Sequence, residues 1–250
     1  MMLTSIRGLV AATVLSACGL AAAPAWADET DPPSDFTLTG SAAIVSDYRF
    51  RGISLSGGDV AVQGSIGVSH ASGLYVGAWA SSIEDNPVFG HTEVDIYAGW
   101  TGEVGSGLTA DVGMTYYVFP NGHVGKANIW EPYASLSTTL GPATAKVGVA
   151  YSWEQKSLGG DDNLYVYTDL GVGIPQTPIS LSGHLGYTDG TLSPDRLTLK
   201  GTGGGFDYSL GATYAVTDKL SFGVSYVGVD GHAIDDYSDD TVVATLKLSF

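Results

Sequence analysis

"TVVATLKLSF", residues 241–250, alternates with a period of two. Val242, Ala244, Leu246, Leu248 and Phe250 fall on one face, and Thr245, Lys247 and Ser249 fall on the other. Successive side chains of a strand point to opposite faces, so the stretch predicts a strand with one apolar and one polar side. The same pattern sets Leu108, Ala110, Val112, Met114 and Tyr116 against Thr109, Asp111, Gly113 and Thr115. It recurs at Ala143–Tyr151 and at Leu220–Tyr226. Helical periodicity is nearly absent.

Working outward from that stretch gives about twelve such runs. They lie near 36–50, 60–70, 74–82, 92–101, 107–118, 128–139, 142–153, 163–174, 177–188, 204–216, 219–228 and 241–250. Within 189–205, "RLTLK" is read either as a strand extension or as a short strand of its own. Short connections ("HASG", "GEVGS", "TLGPA", "IPQTP", "VTDK") alternate with longer, more polar ones such as "SIEDNPVFGH" and "GVDGHAIDDYSDD". An up-and-down antiparallel sheet with one tight end and one loop-rich end has this rhythm, whereas a Greek-key sandwich has no reason to keep it. Gly and Tyr recur as G-x-x-Y at Gly113–Tyr116, Gly148–Tyr151, Gly211–Tyr214 and Gly223–Tyr226.

Alternation alone fits a soluble sandwich or barrel with its apolar side inward, or a membrane barrel with that side outward. Three features favour the membrane barrel. The apolar faces are similar in length and suit the roughly 9–11 residues that cross a bilayer at a tilt. Aromatics end these faces at Tyr48, Trp100, Trp130, Tyr208, Tyr214 and Phe250, as interfacial girdles do. The polar faces hold many small residues and scattered charges. A closed barrel also leaves no strand edge unpaired in lipid. The fold class predicted is therefore all-β, a transmembrane up-and-down antiparallel β-barrel of about twelve strands. Its first strand would carry "SDYRFRGISLS" (Ser46–Ser56), with Tyr48 and Phe50 in the outer girdle and Asp47, Arg49 and Arg51 aimed into the lumen near its external mouth.

Composition agrees. The 250 residues hold 26 Asp+Glu against 10 Lys+Arg, an acidity that excludes nucleic acid as a partner. Gly (35) and Tyr (14) are abundant and only 14% of residues are charged, which suits repeated short strands and turns. No segment has the roughly 18 consecutive apolar residues of a membrane helix. The N-terminus reads as an export signal: Arg7, then the apolar "GLVAATVLSACGLAAA", then Ala25-Trp26-Ala27 as a small-x-small cleavage site. The expected organisation is a signal peptide over 1–27, a short flexible leader over 28–35 and the barrel over 36–250. The rival reading places lipidation at Cys18, in Leu15-Ser16-Ala17-Cys18. Cleavage after Ala27 removes the only cysteine and leaves neither a disulfide nor a thiolate metal site.

"SDYRFRGISLS", the Gly- and Tyr-rich hairpins and the terminal Phe250 together resemble a family of proteobacterial outer-membrane proteins, the TorF-family porins, over essentially the whole mature chain. "DYRFRG" is the most specific part. The resemblance implies an outer-membrane barrel with a transport role, and no settled substrate or catalytic residue. The last strand also resembles the terminal signal read by the outer-membrane barrel assembly machinery, matched here by Leu246, Leu248 and Phe250.

The inward faces would present Asp47, Arg49, Arg51, Glu93, Asp95, Asp111, Glu131, Lys146, Asp169, Asp207 and Lys247 as pore-lining charges. Acids outnumber bases among them, and rings of acidic side chains favour cations. The competing reading is an ion-pair network that plugs a narrow barrel. Asp235, Asp236, Asp239 and Asp240 with His232 form an acidic external loop whose spacing fits no EF-hand, so it is read as a solvated loop rather than a calcium site. His70, His91, His123, His184 and His232 are scattered, and His184 with Ser182 is the one wall pair that a hydrolase could use. No nucleotide loop or H-E-x-x-H occurs. The chain is thus expected to be a non-enzyme without cofactor or metal. Its expected role is passive diffusion of small hydrophilic solutes, weakly cation-preferring, in contact with outer-membrane lipids. The alternative is a non-conducting barrel acting through its acidic loops in adhesion, surface stability or cation binding. A hydrolase comes third.

Overall fold

A computed structural model describes residues 35–201 and 203–250. The expected signal peptide, Cys18 and most of the leader lie outside the described residues. The strands run β1 (Phe36–Val45), β2 (Arg49–Phe50), β3 (Ile53–Ser54), β4 (Ala61–His70), β5 (Leu74–Asn86), β6 (Gly90–Gly105) and β7 (Leu108–Val118). They continue as β8 (Ile129–Leu140), β9 (Ala143–Gln155), β10 (Asp161–Gly173), β11 (Ile179–Gly190), β12 (Gly205–Ala215), β13 (Leu220–Val229) and β14 (Thr241–Ser249).

Twelve of them form one closed antiparallel barrel, each strand pairing with its neighbours in chain order once the β2–β3 hairpin is set aside. Closure joins β1 to β14, from Ser41 opposite Ser249 to Val45 opposite Thr245. Two backbone bonds between Gly40 and Phe250, 2.8 and 3.0 Å, extend the seam to the last residue. Each of the twelve alternating runs corresponds to one barrel strand. The alternation of connection lengths holds too: tight turns, the start of β1 and Phe250 gather at one end, and the longer loops at the other.

The apolar side faces outward. Leu38, Val62, Leu170 and Leu210 are each about 60% exposed or more, as are many Val, Ile and Leu at alternate positions. In water such a continuous apolar band would drive association, whereas in a bilayer it is the solvated surface. Aromatics border the band at both ends. Trp100, Tyr214 and Phe250 lie on the turn side, where the Trp100 indole donates to the Ser72 carbonyl (2.9 Å). Tyr116 and Trp130, stacked with centroids 4.0 Å apart, lie on the loop side with Tyr151, Tyr187, Phe206, Tyr208 and Tyr226.

Two expectations fail. "RLTLK" adds no strand; Pro194–Leu197 is instead a short helix, because Pro194 cannot donate to a ladder and Ser193 caps the turn by accepting from Arg196 N–H. The first strand does not run to Phe50. It stops at Val45, and Tyr48 is buried instead of joining the outer girdle.

Candidate functional site

The chain that leaves β1 turns inward. Arg51 (φ 49°) and Gly52 (φ 79°) take the left-handed conformation and reverse the direction between β2 and β3. Gly supplies that geometry without a steric cost, and a Cβ on Gly52 would overlap Val229 of the wall. Asp47 ties the base of the hairpin, accepting from Ser54 Oγ (2.6 Å) and Ser56 Oγ (3.0 Å) and pairing with Arg49. Three bonds fasten the segment to the barrel: Ser46 N–H to the Ala244 carbonyl (2.9 Å), Glu84 N–H to the Leu55 carbonyl (2.8 Å) and Ser54 N–H to the Tyr237 carbonyl (2.7 Å).

Residues 47–56 therefore lie inside the loop-side end of the barrel. Tyr48 packs on Trp79 (centroids 5.2 Å apart) within a small apolar cluster that includes Val45, Ala61, Ile83 and Val243. Phe50 meets Tyr117 edge-on at 5.8 Å. Asp47, Arg49 and Arg51 point into the lumen region. The aromatics between them do as well, so the whole segment is inside.

Arg51 anchors the hairpin. Its guanidinium lies 2.7 Å from Glu131 Oε1 and 4.1 Å from the centre of the Tyr165 ring. Glu131 also accepts from Tyr117 (3.0 Å) and Ser152 (3.1 Å). Burying a charge is tolerated where pairing and hydrogen bonds replace water, and this carboxylate has both. Arg49 reaches the opposite loop, donating to the Asp239 carbonyl (2.8 Å) and pairing with its carboxylate (3.2 Å).

The other predicted charges lie on the inward face of the barrel wall. Glu93 and Asp95 are 2% and 1% exposed, and no basic side chain pairs with either among the described residues. Lys146, Asp169 and His184 sit side by side across β9, β10 and β11. His184 gives Nδ1 to Asp169 (2.6 Å) and Nε2 to Asp207 (2.9 Å), so neither ring nitrogen is left for Ser182. That removes the geometric basis of the hydrolase pair. Asp111 accepts from the Tyr75 hydroxyl. Lys247 stands apart on the turn side, opposite Ala43 and Ser221. The acidic loop is not simply solvated. Asp239 holds Arg49, and Asp240 accepts from Tyr208 (3.0 Å) and Tyr226. No cluster of His, Cys, Asp and Glu suited to a metal occurs among the described residues.

Sequence reasoning missed the inward tyrosines. Tyr75, Tyr97, Tyr133 and Tyr167 lie over Gly99, Gly77, Gly113 and Gly148 of the neighbouring strands, where a Cβ would overlap the ring. Tyr165 joins them, 2.8 Å from His184 Nε2 and donating to Asp207 (3.1 Å). The missed signal was parity: Tyr75, Gly77 and Trp79 share the inward face of β5.

The model of a bacterial protein family of unknown function, Gcw_chp, matches residues 29–250. No curated protein matches the chain. Among solved structures, the chain is similar to the NanC porin in a rhombohedral crystal form, at 14% identity and a TM-score of 0.57, over 86% of this chain and 99% of that one. It is also similar to the KdgM porin in complex with disordered oligogalacturonate, at 8% identity and a TM-score of 0.55, over 85% and 96%. At such identities the likeness is one of fold: the chain has the architecture of the outer-membrane porins.

Proposed function

The chain belongs to the Gcw_chp family of bacterial proteins of unknown function, and we propose that it is an outer-membrane channel for passive diffusion of small hydrophilic solutes, cationic or neutral. The observation that carries this reading is the inverted barrel, with an apolar band outside and carboxylates inside. The resemblance of Ser46–Ser56 to the TorF-family porins points the same way. Export by a signal cleaved after Ala27, and insertion through the assembly machinery by Leu246, Leu248 and Phe250, belong to the same proposal.

Selectivity is read from the uneven pairing of the lumen charges. Arg49 and Arg51 are neutralised by Asp47, Asp239 and Glu131, and the remaining inward acids outnumber Lys146 and Lys247. Unbalanced acids favour cation passage. The KdgM porin was solved with oligogalacturonate, and an excess of lumen acids argues against an anionic solute of that kind here. Residues 47–56 would set the constriction. The same hairpin supports a second reading, a barrel closed at its loop end that acts through its external surface.

The test is conductance of the refolded mature protein in a planar bilayer under a salt gradient. Discrete openings with a cation-selective reversal potential are expected. Replacing Asp111→Asn and Asp169→Asn together, two acids of the inward face that are not fully buried, should move that potential toward zero. Anion selectivity would keep the channel and overturn the charge reading. A folded barrel with no openings would favour the second reading.

A further inference from the structure

The loop-side rim holds one cleft whose chemistry departs from the rest of the chain. It has a volume of about 490 Å³ and lies between the ends of β7, β8 and β9. Val88, Phe119 and the stacked pair Tyr116–Trp130 give it an apolar floor, and Lys126 and Lys156 stand at its edge. No carboxylate lines it, in a chain with 26 acids and 10 Lys+Arg. The other basic residues on the loop side are neutralised: Arg49 by Asp47 and Asp239, Arg51 by Glu131, Arg196 by Asp161 (2.6 Å) and Lys200 by Asp230 (2.9 Å). Lys126 and Lys156 form no ion pair among the described residues, and both are exposed.

The floor is fixed before any ligand arrives. Gln155 makes two bonds to the Trp130 backbone, both 2.9 Å, and Asn128 donates to the Tyr116 hydroxyl (2.9 Å). Tyr116 and Trp130 also belong to the loop-side aromatic border, so the floor runs directly into the lipid-facing band.

We infer that this cleft binds the phosphate headgroup of a membrane lipid, with Lys126 and Lys156 on the phosphate and Tyr116, Trp130 and Phe119 against its apolar part. Two unpaired lysines supply charge complementarity and hydrogen-bond donors for a phosphate. Amphipathic rings at the border suit a molecule with one end wet and the other apolar. A free phosphate would use the lysines alone, and continuity with the band is what selects a lipid. The inference rests on the proposed membrane placement and not on conduction, so its failure would leave the conductance reading standing.

The test uses the refolded mature protein in detergent micelles and native mass spectrometry, with phosphatidic acid, phosphatidylcholine and inorganic phosphate as probes. Phosphatidic acid should be retained over phosphatidylcholine. Lys126→Gln with Lys156→Gln should weaken it by at least about tenfold, the effect of losing one charge-assisted contact. Lys200→Gln, in another loop, should leave it unchanged. Trp130→Ala should weaken the lipid. Equal retention by the double variant, or equal retention of phosphatidylcholine, would overturn the site. Inorganic phosphate bound as tightly as phosphatidic acid, with no effect of Trp130→Ala, would overturn the lipid as its occupant.

Discussion

Ser46–Ser56 and Thr241–Phe250 have the same alternation of side chains, and they end on different sides of the barrel wall. In the last strand Leu246, Leu248 and Phe250 face outward, with Lys247 pointing into the lumen between them. In the first segment Tyr48 and Phe50 are packed inside, close to the charges they alternate with. The difference lies in what continues the ladder. β14 is paired with β13 from Thr241 to Leu248 and with β1 from Thr245 to Ser249, so the pleat alone decides where each side chain goes. After Val45 the chain leaves the wall, Arg51 and Gly52 reverse it, and contacts distant in sequence replace the pleat. Glu131 takes Arg51, Asp239 takes Arg49 and the Tyr237 carbonyl takes Ser54 N–H. One segment is positioned by secondary structure and the other by buried polar contacts. Substitutions in the two should therefore fail differently.

The largest effect is expected at Arg51. Arg51→Ala removes the cation paired with Glu131 and leaves a buried carboxylate with Tyr117 and Ser152 as donors. Breaking a buried pair costs about 3–5 kcal/mol, and the two remaining donors put this one near the lower end. The loss falls on the seating of the hairpin and not on the ladder. Conductance should rise several-fold while the β-sheet circular dichroism of the barrel stays unchanged. An unaltered conductance would mean that the hairpin does not constrict the lumen.

The matching change in the last strand is Leu246→Arg. A basic side chain on the lipid face costs about 2–4 kcal/mol near the bilayer midplane, and Leu246 is half-exposed on that face. Its neighbour Lys247 carries the same charge on the inward face. Denaturant unfolding of the refolded barrel should show the full loss for Leu246→Arg, and conductance of the folded fraction should be unchanged. A loss under 1 kcal/mol would place Leu246 outside the lipid.

This contrast also explains what could be read in advance. Each barrel strand was legible because period-two alternation over ten or so residues has few other physical causes. Leu108–Val118 and Thr241–Ser249 needed no tertiary knowledge. Parity along the same strands also put Glu93, Asp95, Asp111, Glu131 and Asp207 on the faces opposite the apolar band. The hairpin was not legible from parity, because an aromatic-charged alternation is the same whichever side it ends on. Two signals still pointed to it. A first run over 36–50 is longer than the roughly 9–11 residues needed to cross, and Gly52, Gly57 and Gly58 follow within a few positions. The inward tyrosines were hidden by treating every aromatic as interfacial. Their partners, the glycines of adjacent strands, are fixed only once the register is known.

The smallest effect, and the most specific to the hairpin, is expected at Gly52. Gly52→Ala meets two obstacles: a left-handed φ of 79° and a Cβ that overlaps Val229. A non-Gly residue held in that region costs about 1–3 kcal/mol, and the contact adds to it. The two parts separate in a double variant. Val229→Ala, combined with Gly52→Ala, removes the nearest side-chain atom and leaves in place the left-handed turn and the Gly228 carbonyl, 2.9 Å from the added Cβ. If the hairpin seats as described, Gly52→Ala should raise conductance in the direction of Arg51→Ala but by less. The double variant should then return part of the way to the wild-type value. Full rescue would assign the cost to the Val229 overlap, and no rescue would assign it to the turn together with the Gly228 carbonyl. Either result keeps the hairpin inside the barrel; only a Gly52→Ala channel indistinguishable from wild type would remove it from the lumen.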